Sequence, residues 1–88
     1  MEYPVLTESQ QLLVDSYKNE IRNSKIKFAD LIESETDKTV CKALACFALE
    51  EFPDRLFLIK TIAARLGNLR MHPEAMALFA YIMEKDSS

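Results

Sequence analysis

Three side chains in this 88-residue sequence are of the types that bind metal ions or act as nucleophiles: Cys41, Cys46 and His72. A zinc site needs three or four ligands at compatible spacing, so carboxylates would have to complete the set. The sequence has no phosphate-binding loop, no glycine-rich dinucleotide turn and no nucleophile with an obvious base. We therefore predict that the protein is not an enzyme and binds no cofactor, metal or small-molecule substrate.

The two cysteines are too few for a disulfide scaffold. Cys41 and Cys46 stand five positions apart in a predicted helix, on different faces, so a bridge between them would require the helix to break. We interpret them as reduced, buried thiols with a structural role. That interpretation fits a cytoplasmic protein.

Composition indicates one small helical domain. The 11 basic and 14 acidic residues give a net charge of −3, which argues against nucleic acid as the main partner. No apolar run reaches the ~18 residues of a membrane span, and residues 1–10 do not resemble a signal peptide. One glycine and three prolines leave little turn chemistry for a β-protein, whereas helix-forming residues dominate. We predict an all-α protein that is not bound to a membrane.

Helix start and stop signals divide the chain into four predicted helices, with residues 1–6 as an extended lead-in and 87–88 as a frayed tail. The predicted helices span residues 8–32, 38–51, 54–66 and 73–85. Short connections predict that they form a compact domain, 1–88, of antiparallel helical hairpins.

Capping residues mark the first two starts. Thr7 and Gln10 have the spacing of a capping box, and Thr36 or Asp37 can cap the second helix. The first helix should pack along one seam, whose regular spacing is interrupted at Ser24. That seam consists of Val14, Tyr17, Ile21, Phe28 and Leu31.

Proline and glycine mark the later boundaries. Pro53 should end the second helix and occupy the first turn of the third, from which Arg65 is expected to point outward. Gly67 is the only glycine and is expected just past the third helix in a left-handed conformation.

The predicted fourth helix contains nine consecutive residues without a charge, 75–83. A helix that is apolar on all sides must be covered on all sides, and a short chain has little material for that cover. The helix is therefore either the central rod of the bundle or a surface that another chain covers. Methionine suits adaptable interfaces, and an aromatic ring beside small residues suits an anchor site. The candidate partner-binding residues here are Met76, Phe79, Ala80 and Met83.

A second candidate surface is basic. Lys18, Arg22 and Lys25 follow each other at helical spacing beside the seam of the first helix. Such a stripe is either a solvated flank or a docking site for an acidic partner.

Part of the sequence resembles a tetratricopeptide-type helical hairpin. Residues 64–68 and 74–79 are similar to the family's Leu-Gly turn and second helix, with Ala75 and Phe79 in the roles of its small residue and aromatic. The chain departs from the family in its longer turn and in having no second full repeat. The resemblance covers about residues 40–86 and implies a surface that binds a peptide or helix.

These observations predict a non-enzymatic protein–protein interaction module: an adaptor, small chaperone or regulatory subunit. It would bind a helix or peptide of a partner, or its own copy as a homodimer. The alternative is a nucleic-acid-binding regulator, although Pro73 would interrupt the recognition helix of a helix-turn-helix. That alternative would use Lys18, Arg22, Lys25, Lys60, Arg65 and Arg70.

Overall fold

The computed structural model describes residues 1–87, which form five helices and no strand; Ser88, part of the predicted frayed tail, lies outside the described residues. The helices are α1 (Glu8–Arg22), α2 (Phe28–Ser34), α3 (Lys38–Glu51), α4 (Leu56–Asn68) and α5 (His72–Asp86). The prediction of an all-helical protein is confirmed for this part of the chain. The prediction of four helices is wrong, because the segment expected to be one helix over 8–32 is two.

The first helix begins as predicted and ends early. The Thr7 hydroxyl accepts from the Gln10 N–H while the Gln10 side chain accepts from the Thr7 N–H, which completes the capping box. Ser24 then adopts a left-handed conformation with φ 57°. Its N–H donates to the Ile21 carbonyl, and the Lys25 N–H donates to the Glu20 carbonyl. These two bonds form a Schellman motif, which ends α1 where the seam lacks an apolar residue.

Arg65 lies against the end of α2 instead of pointing outward as predicted. Its Nε donates to the Ile32 carbonyl at 3.0 Å, and its Nη2 donates to the Glu35 carbonyl at 2.9 Å. The last carbonyls of a helix have no partner within the helix. An arginine fork from α4 satisfies one of them, that of Ile32, and also the carbonyl of the C-cap residue Glu35.

Asp37 caps the N-terminus of α3, which confirms one of the two predicted cap candidates. The Asp37 carboxylate accepts from the backbone N–H groups of Thr39 and Val40. Eight of the helix's residues are buried, among them both cysteines. Phe47 from α3 packs with Phe28 and Phe52, with ring centres 5.7–6.3 Å apart. This aromatic cluster thus joins the first residue of α2 to the C-terminal part of α3.

Two boundary predictions for the third predicted helix are wrong. Pro53 does not open it: Pro53 lies in a turn closed by the Arg55 N–H to the Phe52 carbonyl, and α4 begins at Leu56. Gly67 is helical, and Arg70 takes the left-handed position with φ 64°. The Schellman motif forms there, and it brings half-buried Met71 back to buried Leu66 through its N–H to carbonyl bond. That apolar pairing favours a left-handed residue at Arg70, two positions past the last helical residue, over a left-handed residue at Gly67.

Helix α4 occupies the centre of the fold, where it packs against α2, α3 and most extensively α5. Its inner face, including Ile59, Ile62 and Leu66, is fully buried. Helix α5, which contains the charge-free run 75–83, is therefore not the central rod. It lies on the outside of α4. Of the two predicted roles, the one that remains is a helix with a face that the domain does not cover.

Candidate protein-binding surface

The outer face of α5 is an exposed apolar stripe. Met76 and Met83 are 70% and 72% exposed, and Phe79 is 40% exposed. Ala80 is exposed between them. Positions separated by three, four and seven residues lie on one side of a helix, so the four side chains form one continuous surface. We call Met76, Phe79, Ala80 and Met83 the α5 stripe.

The inner face of α5 holds the helix on the domain. Ala75 and Leu78 are buried in the core, and the Tyr81 hydroxyl donates to the Pro53 carbonyl at 2.8 Å. Glu74 lies 3.8 Å from the ammonium of Lys42 on α3. The helix is therefore fixed by its inner contacts, and none of these contacts uses the α5 stripe.

The two ends of α5 differ in charge. His72 is exposed in the first turn, and the N-cap residue, Met71, makes no side-chain capping bond. The first N–H groups of a helix carry partial positive charge, which a neighbouring anion stabilises. Glu84 and Asp86 are exposed in the last turn, where the helix dipole is negative. The first turn also contains Glu74, whose carboxylate is paired with Lys42, and the last turn also contains Lys85. The apolar stripe thus runs between the positive end of the helix dipole and a last turn with two carboxylates and one ammonium group.

The predicted basic stripe does not form. Lys18 lies over the rings of Tyr3 and Phe47, at 5.4 and 5.5 Å from their centres. Arg22 pairs with Glu51 at 2.6 Å. Because α1 ends at Arg22, Lys25 lies beyond the helix and does not continue its face. The first two cations thus cover the aromatic cluster and are engaged within the molecule.

Of the other basic residues named for nucleic-acid binding, two lie on α4 and one lies in a loop. Arg65 is committed to the end of α2, whereas Arg70 is exposed in the loop between α4 and α5. Lys60 is exposed on α4. Of the six basic residues, Lys18 and Arg22 thus lie on α1, Lys60 and Arg65 on α4, and Lys25 and Arg70 in loops.

Sequence reasoning missed an open groove beside Phe57. This large apolar side chain is 83% exposed. It lines a groove of ≈ 1030 Å³ whose other walls include Ile26, Ala29 and Arg55. The signal was present in the sequence, because Phe57 shares its helix face with the outward positions Lys60 and Thr61.

Both cysteines are buried, whereas His72 is exposed at the start of α5. Burial raises the pKa of the Cys41 thiol to about 11, and burial likewise raises the pKa of Cys46. Both thiols are free, which confirms the prediction of buried, unbridged cysteines. Among residues 1–87, no three His, Cys, Asp or Glu side chains are grouped to hold a metal ion. In the same residues, no helix has the length and apolar character needed to cross a membrane.

Comparison of the chain with protein-family models, with curated proteins and with solved structures gives no match.

Proposed function

We propose that this protein is a non-enzymatic interaction module that binds another polypeptide through the α5 stripe. The observation that carries the proposal is the exposure of Met76, Phe79 and Met83 on a helix whose inner face is already packed. Large apolar side chains grouped on one exposed face mark interaction sites in small proteins. Methionines adapt their shape to a partner, and an aromatic between them provides an anchor.

The α5 stripe is favoured over the other exposed apolar residues of the described chain. Helix α5 contributes three large exposed apolar side chains to one helix face. Residues 1–5 also contribute three, Met1, Tyr3 and Val5, but outside any helix, whereas α1 contributes Leu12 and Leu13 and α4 contributes Phe57. The groove beside Phe57 also contains charges of both signs, including Glu51, Asp54 and Arg55. A charge-free helical face suits an amphipathic helix or an apolar peptide segment better than that mixed groove does.

In this proposal α4 and α5 form an antiparallel hairpin that presents the stripe, as the tetratricopeptide-type resemblance implies. The protein acts as an adaptor, small chaperone or regulatory subunit in the cytoplasm. Its free, buried thiols suit a reducing compartment.

The proposal is tested by immobilising the full chain and measuring how much polypeptide wild type and each variant capture. Met76→Glu/Met83→Glu places two charges on the stripe at exposed positions, so stability should change by less than about 0.5 kcal/mol per site. Leu12→Glu is the matched control, because Leu12 is 67% exposed on α1. We expect the double variant to capture at least about tenfold less polypeptide than wild type, and the control to capture as much as wild type. Equal capture by wild type and double variant, with both folded, would contradict a role for α5.

A further inference from the structure

We infer that a partner of the α5 stripe is a second copy of this chain, bound with the two α5 helices antiparallel about a two-fold axis. This inference rests on the proposed function, because it uses the same surface. Its basis is the symmetry of the stripe, the charge at the two ends of α5 and the absence of charge between them.

The α5 stripe is symmetric about its own midpoint. Its four residues are separated by three, one and three positions, and the same separations occur when the helix is read backwards. In a two-fold interface, each residue that contacts a second residue is contacted in turn by the copy. An axis between positions 79 and 80 therefore sets Met76 against Met83 of the copy. It also sets Phe79 against Ala80, so that a large side chain meets a small one at both places.

Exposure follows the same symmetry. Met76 and Met83, which would pair at the two edges, are 70% and 72% exposed. Phe79 lies flatter on the domain at 40% exposure, beside the small Ala80 near the axis. Two such faces can approach closely at the centre, because only one of the two residues there is large. The methionines then extend over the copy's helix on each side.

Charges at the ends of α5 favour the antiparallel arrangement. The N-terminal end, which has no side-chain cap at Met71 and follows exposed Arg70, would lie beside Glu84 and Asp86 of the copy. Glu74 in this first turn is paired with Lys42 of its own chain at 3.8 Å. Carboxylates near a helix N-terminus are stabilising. Lys85 also lies in this last turn, where the carboxylates of Glu84 and Asp86 outnumber its single positive charge. A parallel pair would instead place the acidic end of each α5 beside the acidic end of the other.

The size of the surface determines the strength of the dimer. One helix face from each chain buries less than about 1,200 Å² in total, in the range of weak and reversible complexes. We therefore expect a dissociation constant on the order of 10–100 µM, and a monomer in dilute solution.

Sedimentation of the full chain across that concentration range tests self-association. We expect wild type and Leu12→Glu to show the same monomer–dimer equilibrium, and Met83→Glu to weaken it at least about tenfold, because each dimer contains the change twice. Wild type that remains monomeric at about 1 mM would overturn the inference. If that monomer still captured another polypeptide through the stripe, the proposed function would stand without self-association. A dimer that persisted in Met83→Glu would place the interface elsewhere and overturn this inference.

A mixing experiment tests the antiparallel register. Met76→Lys and Met83→Glu should each self-associate weakly, yet a mixture should form a heterodimer. In that heterodimer the introduced lysine faces the introduced glutamate on one side, and two native methionines face each other on the other. Recovery in the mixture to within about threefold of wild type is the expected result. Failure of the mixture to recover would overturn the two-fold geometry, since a parallel pair does not bring positions 76 and 83 together.

Discussion

Arg65 joins α4 to the end of α2, and its replacement should destabilise the whole domain. Arg65→Met keeps most of the aliphatic stem and removes both donors to the carbonyls of Ile32 and Glu35. A hydrogen bond from a charged group contributes about 1.5–3 kcal/mol. The guanidinium is half-buried, so water can replace part of each bond, and the lower end of that range applies. We expect a loss of about 2–4 kcal/mol in the free energy of unfolding.

A loss of this size is a large share of the stability of a small domain, which is about 5–15 kcal/mol in total. Urea unfolding followed by circular dichroism at 222 nm should show an earlier midpoint with an unchanged slope. The melting temperature should fall by roughly 10–20 °C. Hydrogen exchange supplies the local measurement: amides of α2 should lose more protection than those of α3, because α2 is short and loses its end contacts.

Two variants on the same helix sharpen the test. Lys60→Met is the matched control, since Lys60 is exposed and its replacement should change stability by less than about 0.5 kcal/mol. Arg65→Lys keeps the charge but not the planar fork, so its stability should lie between wild type and Arg65→Met. If Arg65→Met were within about 0.5 kcal/mol of wild type, the two hydrogen bonds would not stabilise the end of α2 as argued.

Two further predictions concern buried thiols and a helix cap. Because burial holds the pKa of Cys41 at about 11, Cys41 and Cys46 should react with a maleimide at pH 8 only as fast as the domain unfolds. Labelling of the native protein at the rate of a free thiol would refute this. Asp37→Ala should lower stability by about 1 kcal/mol in urea unfolding, whereas Asp37→Asn should keep most of the cap. The Gln10 amide and then the Val40 N–H lower the pKa of Asp37, so its contribution is present above the usual carboxyl pKa. That contribution is lost as pH falls through the lowered pKa, and Asp37→Asn should remove this acid dependence.

Local signals in the sequence determined the class of structure and several boundaries. The capping box at Thr7, the cap at Asp37 and the helical period of the apolar residues all act within a few positions along the chain. Nothing distant is needed for such signals to operate, so they were visible in the sequence. The charge-free run 75–83 was visible in the same way, and it lies within α5.

The tertiary structure decided the rest, because the deciding contacts join residues far apart in sequence. Arg65 was assigned to solvent by its position on its own helix, but its partners lie 30 and 33 residues away. The helix end at Arg70 depends on Met71 reaching the core beside Leu66, which outweighed the local preference of Gly67 for a helix end.

The same distinction holds for the candidate surface. Met76, Leu78, Phe79 and Ile82 are all apolar, and no local property of these side chains says which will be buried. Packing against α4 buries Leu78 and half-buries Ile82, and it leaves Met76 and Phe79 on the opposite side. The sequence thus determined that α5 contains nine consecutive uncharged residues, with apolar side chains on more than one face. Only the position of α5 on the outside of the domain decided which of its residues remain exposed.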